Sequence, residues 1–274
     1  MDATRIAMLA NQRRADAATM ICRAGTGHTG GAMSVLDILS VLFYDVMRYR
    51  PQEPKWPQRD RLLLSKGHSV EGYLALLADV GFFPKEELKT FSQPGSHLIG
   101  HPNNRIPGVE VCTGALGHGL SVGVGMALGA KRTGQDYRVY VVMGDGEQDE
   151  GSVWEAAMAG AHYDLDNLYA VIDRNDLQIS GSTEEVMALE NFRAKWEAFG
   201  WDVKETDGHD ILTLTAYFHE QRPQGKPHCL ICHTIKGKGL PFAEGKKEWH
   251  HKVPTVEQLQ LAYAALGVKG VEWA

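Results

Sequence analysis

An acidic side chain and an amide side chain, thirty residues apart, are the first candidates for chemistry in this sequence. Asp145 lies between two glycines directly after the apolar run YRVYVVM, and Asn175 follows a second apolar run, NLYAVID. A Gly-Asp-Gly turn lets backbone N–H groups approach an anion such as a diphosphate. A carboxylate beside that anion requires a cation between them, and Mg²⁺ takes such oxygen ligands. The same residues also suit a tight turn, a helix cap and a loop start, so spacing alone leaves both interpretations open.

Both residues are predicted to follow neighbouring parallel strands. The two apolar runs flank a helical segment at about residues 153–162, which makes a strand–helix–strand unit. A second unit contains strand WDVKE, helix DILTLTAYFHEQ and strand KPHCLICHTI. This alternation predicts an α/β fold, a mostly parallel sheet with helices on both faces, in a single domain over residues 1–274. Ligands of such sheets bind beyond the carboxyl ends of the strands, where Asp145 and Asn175 are expected.

The segments before this sheet are predicted to be mainly helical. Apolar residues recur at helical spacing in residues 1–24 and again in SVLDILSVLFYDVMRY, where Ser34 and Asp37 are placed to cap the helix. RLLLS is typical of a short buried strand, and a helix is expected at about residues 69–80. Residues 111–130 lack Asp, Glu, Lys and Arg, but their six glycines favour a helix packed closely on protein over a membrane span.

Composition limits the classes of function. Of the 274 residues, 43% are hydrophobic and 23% are charged, which is ordinary for a globular protein. A net charge of -6 creates no field that attracts nucleic acid or an anionic membrane, so small molecules or proteins are the expected partners. Four cysteines do not look like a secreted disulfide framework, and the first residues lack the apolar core of a signal peptide. We therefore expect a cytoplasmic protein.

A series of motifs resembles the transketolase family of thiamine-diphosphate enzymes. In chain order the motifs are GTGHTGG, LLLSKGHS, GHPN, TGALGHGLS, GDGEQDEG, DRNDLQISG, TIKGKG and WHHK. They extend from Gly25 to Lys252 in the family's order. The resemblance covers only the amino-terminal third to half of a full transketolase, the PP-type domain that binds the cofactor's diphosphate. It implies the N-terminal subunit of a split transketolase, completed by a separate C-terminal subunit that binds the pyrimidine.

The resemblance also implies the cofactor thiamine diphosphate, held through Mg²⁺, or through Ca²⁺ or Mn²⁺ in its place. The implied metal ligands are the side chains of Asp145 and Asn175 and the backbone carbonyl of Leu177; Asn175 is also expected to contact the cofactor. Gly146 is expected to donate its N–H group to the diphosphate. The remaining residues expected at the cofactor are His68, Gly114, Leu116, Ile179 and His250.

Four histidines resemble residues that act on the sugar in this family. His28 and His101 correspond to residues at the reacting carbonyl and the donor's terminal hydroxyl, and His68 and His250 to residues that touch diphosphate and donor. Imidazole titrates near neutral pH, so it can move protons or donate hydrogen bonds to a developing alkoxide. Two acids match residues that link paired active sites in the family, and these are Glu150 and Glu155.

The sequence departs from the family pattern at two positions and contains two competing motifs. His118 stands where the family usually has Gln, and Arg174 precedes Asn175 where an Asn pair is usual. GTGHTG satisfies the dinucleotide pattern GxGxxG, but it follows a helical segment instead of a strand. Cys229 and Cys232 have zinc or redox spacing. In a strand their side chains diverge, which favours two buried structural cysteines.

The implied activity is transfer of a two-carbon ketol unit from a ketose to an aldose. The resemblance implies a heterotetramer that contains a homodimer of this chain and acts on sugars, with sugar phosphates expected. Three alternatives stay open. They are a ketol transferase specialised for sulfonated or branched sugars, a component like those of 2-oxo acid dehydrogenases, and a non-catalytic cofactor-binding protein.

Overall fold

The structure is a computed structural model and describes residues 1–273. Its strands are β1 (Arg61–Leu64), β2 (Val139–Gly144), β3 (Leu168–Arg174), β4 (Asp202–Asp207) and β5 (His228–His233). Its α-helices are α1 (Ala3–Ala24), α2 (Thr29–Ser34), α3 (Leu36–Val41), α4 (Val70–Asp79), α5 (His118–Thr133), α6 (Gly151–His162), α7 (Thr183–Val186), α8 (Phe192–Ala198), α9 (Ile211–His219) and α10 (Val256–Leu266). Short 3₁₀ turns occur at Gly67–Ser69, Lys85–Thr90, Gly146–Asp149 and Lys247–Trp249, and a π-helical turn at Leu42–Val46 continues α3.

The five strands form one parallel sheet in the order β1-β2-β3-β5-β4. Successive side chains of β2 point to opposite faces: Tyr140 and Val142 pack toward α1, α3, α4 and α9, whereas Val139 and Val141 pack toward α5, α6 and α8. Burial on both faces explains why β1, β2, β3 and β5 are mainly apolar instead of alternating with polar residues, whereas the edge strand β4 is mostly polar and exposed. The predicted α/β fold with helices on both faces is confirmed.

Ser34 and Asp37 do not cap a helix, contrary to expectation. The Ser34 hydroxyl donates a hydrogen bond of 2.7 Å to the Asp173 carboxylate at the end of β3. The Asp37 carboxylate forms an ion pair of 2.6 Å with Arg14 and lies 2.7 Å from Nδ1 of His209. These side chains therefore join the amino-terminal helices to one another and to the sheet.

The charge-free segment 111–130 is helical only in its second part. Residues 111–117 form a loop, and α5 begins at His118. Gly114 and Gly117 have φ angles of +147° and +81°, which glycine adopts without the steric cost of a side chain. No helix within residues 1–273 is both long enough and apolar enough to cross a membrane.

Cys229 and Cys232 lie on opposite faces of β5, as predicted. Cys229 packs with the side chains of α5, α6 and α8, and Cys232 packs on the opposite face of the sheet. Both thiols are free and fully buried. Within the described part of the chain, no group of three or more His, Cys, Asp and Glu side chains is arranged to hold a metal ion. The pair therefore acts as core side chains.

Candidate functional site

A cavity of about 340 Å³ lies at the carboxyl ends of the strands. Loops after four strands contribute to it: Lys66 follows β1, Asp145 follows β2, Asn175 follows β3 and Lys236 follows β5. The structure thus brings the first two candidate residues to one place. All the residues predicted to hold the cofactor or its metal line this cavity, and these are His68, Gly114, Leu116, Asp145, Gly146, Asn175, Leu177, Ile179 and His250.

The Asp145 carboxylate connects the loops that follow β2 and β3. It is 3% exposed and accepts hydrogen bonds from the backbone N–H of Gly146 at 2.8 Å and of Asp176 at 2.6 Å. The Asn175 side-chain oxygen accepts one from the Leu177 N–H at 3.2 Å. The turn and cap roles that spacing left open are therefore present. They hold both side chains at the cavity, so a structural role and a ligand role are compatible.

The charge on Asp145 is poorly stabilised by its surroundings. Burial, followed by the nearby Asp173 carboxylate, raises the pKa of Asp145 to about 6, although the Gly146 and Asp176 amides favour the charged form. A cation beside a buried carboxylate offsets that cost. Carboxylate, amide and carbonyl oxygens together form the type of donor set that hard cations such as Mg²⁺ prefer.

Lys236 is a residue of this cavity that sequence reasoning missed. Its ammonium group donates a hydrogen bond of 2.8 Å to the Leu177 carbonyl and lies 3.1 Å from Nδ1 of His250. The residue is only 3% exposed, and burial, followed by the charge on Lys66, lowers the pKa of Lys236 to about 8. Its place in the motif TIKGKG, directly after a predicted strand, was the signal that could have identified it.

Lys66 is a second missed cation at the cavity. Its ammonium group forms an ion pair with the fully buried Asp173 and donates to the Gly31 carbonyl at 3.3 Å. With Lys236, it places two buried ammonium groups around one cavity. Lys236 forms no ion pair within residues 1–273, and Lys66, whose charge Asp173 partly offsets, adds to its positive charge. Positive charge in a confined space favours an anion. Its position in LLLSKGHS, at the end of a predicted strand, was the available signal.

A buried carboxylate, Glu147, fixes the glycine-containing loops of the site. One carboxylate oxygen accepts hydrogen bonds from the Gly117 N–H, at 2.9 Å, and from the Ser65 hydroxyl. The other accepts the Gly144 N–H at 3.1 Å. Burial raises the pKa of Glu147, and these donors partly offset the shift. Glu147 was not predicted, and it joins the turn after β2 to the loop before α5.

His28 lies at the centre of a cluster of imidazole rings beside the cavity. The ring centroids of His68, His101, His250 and His251 are 5.6, 5.7, 5.9 and 4.6 Å from that of His28. The rings of His68 and His250 stack at 5.0 Å. The structure therefore brings together the four predicted histidines. His251, within the motif WHHK, was missed.

Four histidines of the cluster are neutral near pH 7, and these are His28, His68, His101 and His250. Burial, followed by His251 and His101, lowers the pKa of His28 to about 4. Burial, followed by Lys236, lowers the pKa of His250 to about 3, and burial also lowers the pKa of His68 and His101. A neutral imidazole donates at one ring nitrogen and accepts at the other. The cluster is therefore suited to polar, uncharged groups such as hydroxyls and carbonyls.

Glu150 and Glu155 do not lie at the cavity. Glu150 is the N-cap residue of α6, Glu155 lies on that helix, and both side chains are exposed. His118, which replaces the usual Gln, begins α5 and is also exposed. Arg174 forms an ion pair of 3.0 Å with Asp176, and this arrangement leaves the neighbouring Asn175 at the cavity wall.

Comparison with known proteins shows consistent similarity. The family model described as "Transketolase, thiamine diphosphate binding domain" matches residues 6–272. The chain is 53% identical over 244 residues to an apulose-4-phosphate transketolase subunit of Phocaeicola vulgatus, covering 89% of this chain and 87% of that protein. It is 42% identical over 252 residues to the 6-deoxy-6-sulfo-D-fructose transketolase subunit SqwG of Clostridium sp., covering 91% and 92%.

Solved structures show the same similarity. The transketolase of Campylobacter jejuni superposes with a TM-score of 0.94 at 31% identity, covering 100% of this chain and 44% of that one. The transketolase of Leishmania mexicana gives a TM-score of 0.91 at 33% identity, covering 96% and 41%. The chain therefore spans less than half the length of the transketolases whose structures it matches.

Proposed function

Because the chain belongs to the transketolase family, as a thiamine diphosphate binding domain, we propose that it is the N-terminal subunit of a transketolase-type enzyme. The enzyme transfers a two-carbon ketol unit from a ketose to an aldose, and residues 1–274 act as its single diphosphate-binding domain. The observation that carries the proposal is the convergence of Asp145, Asn175 and the Leu177 loop with two lysines at one cavity. That arrangement combines ligands for a hard cation with positive charge for a diphosphate.

The cavity fits a metal–diphosphate group. Asp145, Asn175 and the Leu177 carbonyl would hold Mg²⁺, or Ca²⁺ or Mn²⁺ in its place. The cation would offset the energetic cost of the buried Asp145 charge, a cost that the raised pKa of Asp145 reflects. The Gly146 N–H would donate to the diphosphate, whose charge Lys66 and Lys236 would balance. When bound, thiamine diphosphate supplies the carbanion chemistry of the reaction. The residues placed to contact the rest of the cofactor are His68, Gly114, Leu116, Ile179 and His250.

The histidine cluster would bind and orient the sugar. His28 and His101 are proposed to hydrogen-bond the reacting carbonyl and the donor's terminal hydroxyl, and His68 and His250 to lie between the diphosphate and the sugar. Since Lys236 donates to Nδ1 of His250 at 3.1 Å, the proton of that neutral imidazole resides on Nε2. His250 therefore presents a hydrogen-bond donor from the nitrogen that Lys236 does not contact.

A second polypeptide is proposed to complete the site. The Phocaeicola relative is itself named as one subunit of its transketolase, and the chain covers only 41% to 44% of the structurally matched transketolases. We propose a separate C-terminal, pyrimidine-binding subunit that joins a homodimer of this chain in a cytoplasmic heterotetramer. The exposed Glu150 and Glu155 would then link the paired active sites across the contact between copies.

The relatives also support a narrower substrate class. The Phocaeicola protein is named for apulose-4-phosphate and the Clostridium protein for 6-deoxy-6-sulfo-D-fructose. The 53% identity to the first favours, as a second candidate, a ketol transferase specialised for a modified sugar. Both candidates require an anionic sugar, a phosphate or a sulfonate, and they differ in the rest of the donor.

Co-purification with a candidate partner subunit tests this function. The complex is supplied with Mg²⁺, thiamine diphosphate and an aldose phosphate as acceptor. Release of the donor-derived aldose is measured with ordinary ketose phosphates, apulose-4-phosphate and 6-deoxy-6-sulfo-D-fructose as donors. We expect turnover only when both subunits, the metal and the cofactor are present. An Asp145→Asn complex is the matched negative control. Tight cofactor binding without turnover of any donor would favour the non-catalytic alternative, and absence of cofactor binding would refute the proposed site.

A further inference from the structure

Behind His28 lies a fully buried carboxyl group, that of Glu71 on α4. Its Oε1 atom accepts a hydrogen bond of 2.8 Å from the His28 backbone N–H and lies 3.9 Å from Nδ1 of the same residue. Among residues 1–273, neither Oε2 of Glu71 nor Nδ1 of His28 has a hydrogen-bond partner. Leaving such a group buried and unpaired costs about 1–3 kcal/mol. The hydrogen bond between Oε1 and the His28 backbone N–H does not explain why Oε2 of Glu71 and Nδ1 of His28 are buried without partners.

The chain around Glu71 is shaped to admit the carboxyl group. Gly27 has a φ of +149°, and a Cβ added there would lie 2.8 Å from Oε1 of Glu71 and 2.7 Å from the Ile21 side chain. Only glycine at this position lets the backbone before His28 approach the carboxyl so closely. Burial raises the pKa of Glu71 to about 7, against the hydrogen bond from the His28 amide. Near neutral pH this carboxyl group therefore exchanges a proton.

The other groups that surround His28 are imidazoles, and Glu71 is the carboxyl group beside it. The titratable groups that face the His28 ring are His68, His101, His250 and His251. The pKa of each of the first three is lowered by burial.

We propose that Glu71 is a positioning residue for His28. Its carboxylate accepts a hydrogen bond from Nδ1–H of His28 once the ring moves closer than the present 3.9 Å between Nδ1 and Oε1. This contact leaves Nε2, the ring nitrogen farther from the carboxylate, to accept a hydrogen bond or a proton from a sugar hydroxyl. Once Nε2 has taken that proton, it can donate a hydrogen bond to the reacting carbonyl. The part of the proposal that concerns the sugar depends on the proposed ketol-transfer function. The pairing of carboxylate and imidazole depends only on this chain.

The test combines NMR on the chain with kinetics on the assembled complex. Glu71→Gln keeps the shape and an acceptor for the His28 amide but does not titrate. In ¹⁵N-histidine-labelled chain, the His28 Nδ1 signal should move between about pH 6 and about pH 8, and this movement should disappear in Glu71→Gln. In the complex, kcat of the variant should fall on the order of 10–100-fold while cofactor affinity is retained.

A matched control separates positioning from general loss of a buried carboxylate. Asp60, 3% exposed, accepts the backbone N–H groups of Arg48 and Arg138, each at 2.8 Å, at the amino end of β1 and thus far from the cavity. Asp60→Asn should lower stability yet leave the His28 signal and kcat per folded enzyme unchanged. Wild-type pH behaviour of His28 in Glu71→Gln, or unchanged kcat, would overturn the proposal.

One further measurement keeps the outcome decisive. Should Glu71→Gln fail to fold, wild-type chain labelled with ¹³C at its Glu carboxyls gives the same answer. Coupled titration of the Glu71 carboxyl carbon and the His28 Nδ1 supports the pair, and independent titration refutes it. If the wild-type complex transfers no ketol unit, the proposed function fails, but the NMR measurement still decides whether Glu71 governs His28.

Discussion

The Asp145→Asn substitution should stabilise the metal-free chain and at the same time remove its metal-dependent cofactor binding. These two effects have a single origin. The carboxylate is held in a buried place next to Asp173, where its charge is unfavourable until a cation binds. Active-site groups commonly carry such a cost because the same charge is required for function.

The size of the effect follows from the shift in pKa. Burial and the nearby Asp173 raise the pKa of Asp145 from 3.8 to about 6, and each pKa unit corresponds to about 1.4 kcal/mol. The charge therefore costs about 3 kcal/mol in the folded chain at pH 7. The amide removes that cost, but its NH₂ group replaces the oxygen that accepts the Asp176 N–H at 2.6 Å, a loss of about 1–2 kcal/mol. The net expectation is a gain of about 1–2 kcal/mol.

The pH dependence of unfolding independently checks the predicted sign of this change in stability. Because the folded-state pKa is raised, the wild-type chain loses stability as the pH rises from 3.8 through about 6. The advantage of Asp145→Asn should therefore be largest above pH about 6. Below pH about 4 the charge cost is absent and only the lost hydrogen bond remains, so the variant should be less stable than wild type by about 1–2 kcal/mol. Urea unfolding followed by circular dichroism, with EDTA present, measures this difference. Calorimetry with Mg²⁺ and thiamine diphosphate should show at least about 100-fold weaker binding.

Asp173→Asn is the matched control, because it should have the opposite effect on stability. Burial raises the pKa of Asp173, but the Lys66 ammonium and the Ser34 and Thr234 hydroxyls outweigh burial and lower it overall. The Asp173 charge therefore stabilises the fold at neutral pH, and this stability is lost as the pH falls through its folded pKa. An Asp145→Asn chain that is less stable than wild type at pH 7 without metal, a pH-independent difference, or unchanged cofactor affinity would refute the reasoning.

Three further predictions concern charge, backbone and thiols. Burial lowers the pKa of Lys236 to about 8, so at pH about 9 the wild-type side chain is mostly uncharged and cofactor affinity should fall roughly tenfold. Lys236→Arg should retain its affinity at this pH. Identical pH profiles of the two proteins in calorimetry would contradict this. Gly117→Ala should lower the free energy of unfolding in urea by about 2 kcal/mol or more, because its φ is +81° and the added Cβ would lie 2.6 Å from a neighbouring side chain; a loss below about 0.5 kcal/mol would be inconsistent with that geometry. In the folded chain a thiol reagent should modify the exposed Cys112, whereas Cys229 and Cys232, whose pKa burial raises, should react only after unfolding; rapid labelling of either buried thiol would count against their core positions.

Local sequence patterns were sufficient to predict the strands, most helices and the positions of Asp145 and Asn175 at strand ends. Apolar runs and glycine turns report on backbone conformation within a few residues, so these predictions needed no knowledge of distant contacts. The boundaries of the helices were predicted less accurately. The helix expected from Val111 begins at His118, because the positive φ angles in the preceding glycine loop interrupt it. The place of β5 between β3 and β4 is likewise a property of the sheet and not of chain order.

Only the tertiary structure decided which charged side chains lie inside the protein. Lys236 meets the Leu177 carbonyl across 59 residues of chain, and Glu71 meets the His28 amide across 43. Lysine and glutamate are exposed in most proteins, so sequence alone favours surface positions for both. Their burial depends on partners that other elements bring within hydrogen-bond distance, and no local pattern encodes those partners. The sequence by itself therefore determined the family, the sheet and the metal-ligand candidates, whereas folding determined the buried charges that surround them.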